Sequence, residues 1–346
     1  MSSENSAESV AAFRSTKDYQ DIEFVNIRFT RPNDASDGDY GTALYLDNPV
    51  KLSVKGCIFE GLRSPLNGGS AIYVKTLTDT SNFDADTKFI GNRVDSGGCI
   101  PPVCTPAGWS TGEVCPDKCW GGGGALWIGS CFGSTVINIK ADFVENVHEF
   151  AHGMGGALFI DYMQCKLNIN GNYERNSASD GGAIHVEGVI ADGVMNVDAT
   201  FTDNLAPNEL FDPSETQFGA RGAAVRVRDV GEDSKVNIKG KYTGNKVEGR
   251  GAVSSFNHIS GNVVLDVDAR NNEAMRGAIA SNWRTVTGKF IILADSVIKN
   301  NEATERPASQ ILDFPGVSLQ LNGTQYDAAT ADGSNFVVSE DFISQA

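Results

Sequence analysis

His148-Glu149-Phe150-Ala151-His152 reproduces H-E-x-x-H, a spacing that on a helix brings two imidazoles to one face to hold zinc, with the glutamate as general base. The neighbours oppose a helix. Gly153, Gly155 and Gly156 would end one at once, and Leu158, where a further ligand is expected, reads as a strand-core residue. Two readings are left: a solvated loop, or a metal held without a helix by His148, His152 and His185, three of the chain's four histidines. A second pair, Asp266 and Asp268, sits near Asp198 and Lys239 of neighbouring repeats. Carboxylates so placed could hold calcium or act as acid and base, or they could be one side of an alternating charge pattern that steadies stacked strands. No cofactor is expected; calcium or zinc is the alternative these groups leave open.

Four of the seven cysteines, Cys99, Cys104, Cys115 and Cys119, fall in one segment, 97–122, with four prolines and two tryptophans. A loop of this length with no core of its own needs a staple. Two disulfides among these four would imply an oxidising compartment. A zinc knuckle competes, but C-x4-C with C-x3-C lacks the tight C-x2-C turn. Cys57, Cys131 and Cys165 lie in strand-like stretches and read as small core residues, so three thiols are expected free.

The elements that must carry these groups are written as a repeat. Gly-Gly-Ala-Ile/Leu/Val is followed about 18 residues later by an aromatic and, three further on, by Asn: Ala125 with Phe143 and Asn146, Ala157 with Tyr173 and Asn176, Ala183 with Phe201 and Asn204. The alanines recur every 26 to 32 residues except where a coil carries an insertion. Each unit holds two or three short strands of period two and no run long enough for a helix, which is one coil of a parallel β-helix. Such coils bury their inner faces only by stacking, at about 4.8 Å per coil. The expected fold is all-β, a right-handed parallel β-helix of nine or ten coils over 21–326. It carries a Cys-rich insertion at 97–122, a loop insertion at 206–220, and caps or tails at 1–20 and 327–346. Phe59, Phe89, Phe143, Tyr173, Phe201 and Tyr242 should stack inside, and Asn92, Asn146, Asn176, Asn204, Asn245, Asn272 and Asn300 should form a ladder at the turns.

Outward positions of the first strand carry Tyr45, Tyr73, Trp127 and Phe159, then His185 and Arg226. Solvated strands place Thr or Lys there. A row of aromatics marks a surface for sugar rings or a protein partner, unless the Cys-rich segment folds back over it. The net charge of −16 argues against nucleic acid and against docking on anionic lipid by charge alone. The chain has no 18-residue apolar run for a transmembrane helix, and residues 1–18 show no signal-peptide core.

The alternation of GGA[ILV] and FxxN over 41–300 resembles the passenger repeats of the polymorphic outer membrane protein family of chlamydiae. That resemblance implies a right-handed β-helix displayed outside a cell and used for attachment. The chain departs from it in Arg221-Gly222, Arg250-Gly251 and Arg276-Gly277, which stand where Gly-Gly is expected, and in lacking a C-terminal membrane barrel. The functional expectation is an extracellular or cell-surface adhesin that binds a glycan or a surface protein. The alternatives are a polysaccharide-processing β-helix enzyme, which would need at least three carboxylates and an arginine in one groove, and a structural assembly protein.

Overall fold

The computed structural model describes residues 12–15, 20–31, 42–66, 69–98, 121–149, 153–208, 220–282, 284, 286–293, 296–304, 312–314, 319–321, 324–326 and 336–338. Among these residues every regular element is a strand, and parallel pairing from rung to rung builds a β-solenoid. Eight complete turns begin at Leu44, Ile72, Leu126, Leu158, Ile184, Val225, Ser254 and Ala280. Partial turns flank them: Phe13–Ser15, Asp21–Val25 and Arg28–Thr30 before, and Leu312–Asp313 after. The expected nine or ten coils counted these partial turns, which show the alternation of a full coil but close only part of the circuit.

The inner columns follow the period. Phe59, Phe89, Phe143, Tyr173, Phe201 and Tyr242 pair in register, are fully buried, and stack with centroids 4.5 to 4.9 Å apart. The stack starts one coil earlier than expected, at Phe29, and ends where Ala269 and Ile298 take the position. The asparagine ladder is also present, with one correction: its last member is Asn301, to whose Oδ1 Asn272 Nδ2 donates at 2.8 Å, and not Asn300. Asn300 instead takes a positive φ of 54°, and Glu145, Arg175 and Asp203 take 58°, 51° and 53° just before their own ladder asparagines. Counting three residues from Ile298, in phase with the aromatics, gives Asn301.

The glycine doublets divide their work. Gly123, Gly155 and Gly181 hold positive φ at the corner. The next glycine leaves room for the neighbouring rung: a Cβ on Gly124 would sit 1.9 Å from the carbonyl oxygen of Gly156. In later coils Gly222, Gly251 and Gly277 keep the positive-φ position, so the doublet's second glycine is what changed, to Ala223, Ala252 and Ala278. The arginines do not replace a glycine. Arg221 pairs with Asp180 and sits one position before the corner.

Cys131 and Cys165 form a disulfide between the third and fourth turns, 34 residues apart and both buried. This corrects the expectation of three free thiols; Cys57 is free. Cys131 is in register with Met163, and the pairing shifts between Phe132 and Val136, which carries Cys165 to a Cα distance of 5.6 Å from Cys131. A period-based reading assumes an unbroken register and misses such a shift. Cys99, Cys104, Cys115 and Cys119 lie outside the described residues.

Candidate functional site

Tyr45, Tyr73, Trp127, Phe159, His185, Arg226, Ser255 and Ser281 stand in one register-aligned column of the first strand, and none belongs to the main core. The rings stack on one another: Tyr45 on Tyr73 at 4.7 Å, Tyr73 on Trp127 at 4.3 Å with planes 2° apart, Trp127 on Phe159 at 6.1 Å. Gly129 lets the indole lie flat, since a Cβ there would come within 2.7 Å of it. Arg14 sits 5.0 Å over Tyr45 and closes that end.

This geometry corrects the expected platform in two ways. Ring faces are used up by neighbouring rings, so a ligand would meet ring edges instead of faces. Exposure is also uneven: Tyr45, Tyr73 and Trp127 are half-buried, whereas Phe159 is 5% exposed and lies against Gly122, at the end of the Cys-rich segment. Residues 99–120, which the covering alternative folds over the column, lie outside the described residues.

Beyond Phe159 the same face turns polar. Asp161 faces Glu187 across adjacent rungs, flanked by the pairs Ile160–Val186 and Tyr162–Gly188. His185 Nε2 lies 3.1 Å from one Glu187 oxygen, and Arg228 donates to the other. Arg226 is 1% exposed and donates to Ser255 Oγ at 3.2 Å and Asn257 Oδ1 at 2.5 Å; its Nε lies 3.7 Å from Asp180. Burial and then the charge of Glu187 push the Asp161 carboxyl up to about 7. Burial acts on Glu187 in the same direction, but His185 and Arg228 outweigh it and hold that carboxyl below the usual range. Burial also raises Asp229, beside Arg228, and lowers Arg226 to about 10. Two adjacent carboxyls pushed apart in this way are equipped to play acid and base.

The cluster is not legible in the sequence because its residues are far apart in the chain: 41 positions, the 206–220 insertion among them, separate Glu187 from Arg228. Its signal in the sequence is the second outward position of each first strand, which holds Asp161, Glu187 and Arg228 on successive coils.

The other proposed groups are not brought together. His148 is a buried strand residue in Val147–His148, in a different sheet from His185, and Glu149 pairs with Arg93. Burial lowers His148 to about 4, so it is neutral. His148 is on a strand and Glu149 follows it outside any helix; Phe150, Ala151 and His152 lie outside the described residues, which contain no group of three or more potential metal ligands. Asp266 is 3.4 Å from Lys239, and Asp268 pairs with Arg270 at 2.6 Å. Asp198, Lys239 and Asp266 follow one another in register, the alternating pattern that steadies a stack. Among the described residues no helix is long and apolar enough to cross a membrane.

Comparisons with known protein families, curated proteins and solved structures return no match to this chain.

Proposed function

We propose that this solenoid is an extracellular or cell-surface protein that binds an extended glycan along the outer face of its first strands. One observation carries the reading. Asp161, Glu187, Arg228 and Asp229 are partly or fully buried outside the main core, on the turns that follow those of Tyr45, Tyr73 and Trp127, with Asp161 two residues beyond Phe159 of the aromatic column. Desolvated charge is costly to a fold, and its concentration outside the core favours a site. The buried disulfide agrees with an oxidising compartment, and adhesion is the role such a display would serve. A glycan-array screen of the wild type and Glu187→Gln tests it. Wild-type binding that the variant loses, at unchanged thermal denaturation, supports the proposal; a wild type that binds no glycan overturns it.

A second reading, glycan processing, is favoured by the Asp161–Glu187 pair alone. With three carboxylates and two arginines gathered here, the requirement set for an enzyme is met in composition. Asp161 would protonate the leaving oxygen and the ionised partner would assist water or attack the anomeric carbon. Product analysis of the same samples by mass spectrometry decides it, and intact oligosaccharides after prolonged incubation would end this reading.

A further inference from the structure

The second outward column of the first strands runs Lys75, Gly129, Asp161, Glu187, Arg228 and Asn257 on successive turns, placed by the register pairs on either side of each. Like charges directly opposite one another destabilise a sheet, and an opposite charge one rung away relieves them. Glu187 has that relief: Arg228 donates to one of its oxygens, and His185 Nε2 lies 3.1 Å from the other. Asp161 has none. One rung before it stands Gly129, one rung after it Glu187, and its outward neighbours along the strand are Phe159 and Tyr162.

The place of a counter-cation is given to a ring instead. The Trp127 indole lies over Gly129, and across the next rung Tyr162 lies over Gly188, its ring carbons 2.9 and 3.0 Å from where a Cβ would stand. Between these rings the half-buried Asp161 carboxyl makes no hydrogen bond or ion pair among the described residues, and neither does the Tyr162 hydroxyl beside it. Even the exposed Glu23 and Glu145 are paired, with Lys55 and Arg175. A carboxyl drawn out of water costs more than an exposed one when it has no partner. Asp161 and Glu187 are only two donors, and the described residues hold no group of three or more that could bind a metal ion.

We propose that the ligand supplies the cation that Asp161 lacks, as an ammonium group, so that the glycan held on this face carries unacetylated amino sugars. This rests on the glycan-binding reading above. An ammonium is a compact charge with three donors, able to bond an Asp161 oxygen and still reach the Tyr162 hydroxyl. Its approach favours the ionised carboxyl, against the burial and the Glu187 charge that otherwise hold the proton on Asp161. The net charge of −16 draws cations toward this surface and repels uronates and sulfates.

The test is calorimetric binding of the full chain to three oligosaccharides of one backbone and equal length. They differ at a single substituent, a free amine, an N-acetylated amine or a hydroxyl, in a buffer that keeps the amine protonated. The expected result is about tenfold tighter binding of the amine than of either neutral probe, the scale of one charge-assisted hydrogen bond. A chain so acidic attracts any polycation, and two variants separate the site from the surface. Asp161→Asn should remove most of the preference, whereas Asp233→Asn, which deletes the same charge from an exposed turn, should keep it. Equal affinity of the wild type for amine and neutral probes overturns the inference while leaving glycan binding intact, and this comparison stands without either variant. A preference that survives Asp161→Asn, or falls equally in both variants, also overturns it, by assigning the attraction to the surface as a whole. No binding of the amine probe overturns the inference, and the glycan array decides separately whether the reading beneath it stands.

Discussion

Asn146 donates its side-chain Nδ2–H to Asn176 Oδ1 at 2.9 Å, and its backbone N–H donates to the same oxygen at 3.0 Å. Asn176 in turn donates to Asn204 Oδ1 at 3.0 Å and to the Phe143 carbonyl at 3.0 Å. From Asn92 to Asn272 each ladder amide therefore serves three neighbours at no more than 1% exposure. Asn176→Ala strands two buried donors on Asn146, and should cost about 2–4 kcal/mol. Urea denaturation measures it, and a loss below 1 kcal/mol would show that water enters the turn.

The Tyr173 hydroxyl is buried in the inner stack with no hydrogen-bond partner among the described residues. Tyr173→Phe should thus leave stability unchanged or raise it by up to about 1 kcal/mol. Tyr173→Ala opens a cavity between Phe143 and Phe201 and should cost about 3–5 kcal/mol. Thermal denaturation of the pair separates ring from hydroxyl; a clear loss for the Phe variant would reveal a partner.

Cys131 and Cys165 should resist alkylation in the denatured, unreduced chain, whereas Cys57 reacts. A peptide map should recover Cys131 and Cys165 joined. Replacing both by Ser opens a closure of 34 residues and should lower stability by about 3–4 kcal/mol. Recovery of both as alkylated thiols would contradict the pairing.

Two buried groups pull the pH dependence in opposite directions. Asp161 has its folded value raised from 3.8 to about 7, so the folded state holds the proton more tightly, and its contribution is lost as pH rises from 4 to 7. His148 has its folded value lowered from 6.5 to about 4, so the unfolded chain takes up a proton first, and stability is lost as pH falls from 6.5 to 4. Between pH 4 and 6.5 the two offset each other. Asp161→Asn removes one of them. Its stability should rise more steeply than wild type between pH 4 and 6.5, and should exceed wild type at pH 8. Superimposable pH profiles would refute the assignment.

Much of the fold was legible because every coil repeats one requirement. Phe143, Tyr173 and Phe201 could be placed inside, and their asparagines at the turn, from spacing alone. Errors arose where the register shifts or where spacing counts and facing does not. Asn301 is hidden behind Asn300 in the sequence because the aromatic of that coil is replaced by Ile298, which breaks the visible motif. The Cys131–Cys165 bridge depends on a local irregularity in pairing. Tyr45, Tyr73, Trp127 and Phe159 do share one register column, but strand alternation alone gives a ring's side of the sheet and neither its tilt nor the burial of Phe159. Rungs about 4.8 Å apart force the rings face to face, and that changes what a ligand would touch. The Asp161–Glu187–Arg228 cluster was invisible because its members come from three coils.

The bridge between the third and fourth turns also gives the solenoid a mechanical character. Pulled apart from either side, a stack in which each rung holds only its neighbours yields one rung at a time, as a zipper does. Each released coil, such as the 27 residues from Asn245 to Asn272, would lengthen the tether by about 9 nm at ~3.4 Å per residue. The Cys131–Cys165 bond is a covalent stop in that sequence, because the 34-residue span it closes cannot be paid out. The force trace of an oxidised molecule should therefore lack most of one step that a reduced molecule shows, and a protein anchored to a moving surface would keep its central rungs as the outer ones strip away.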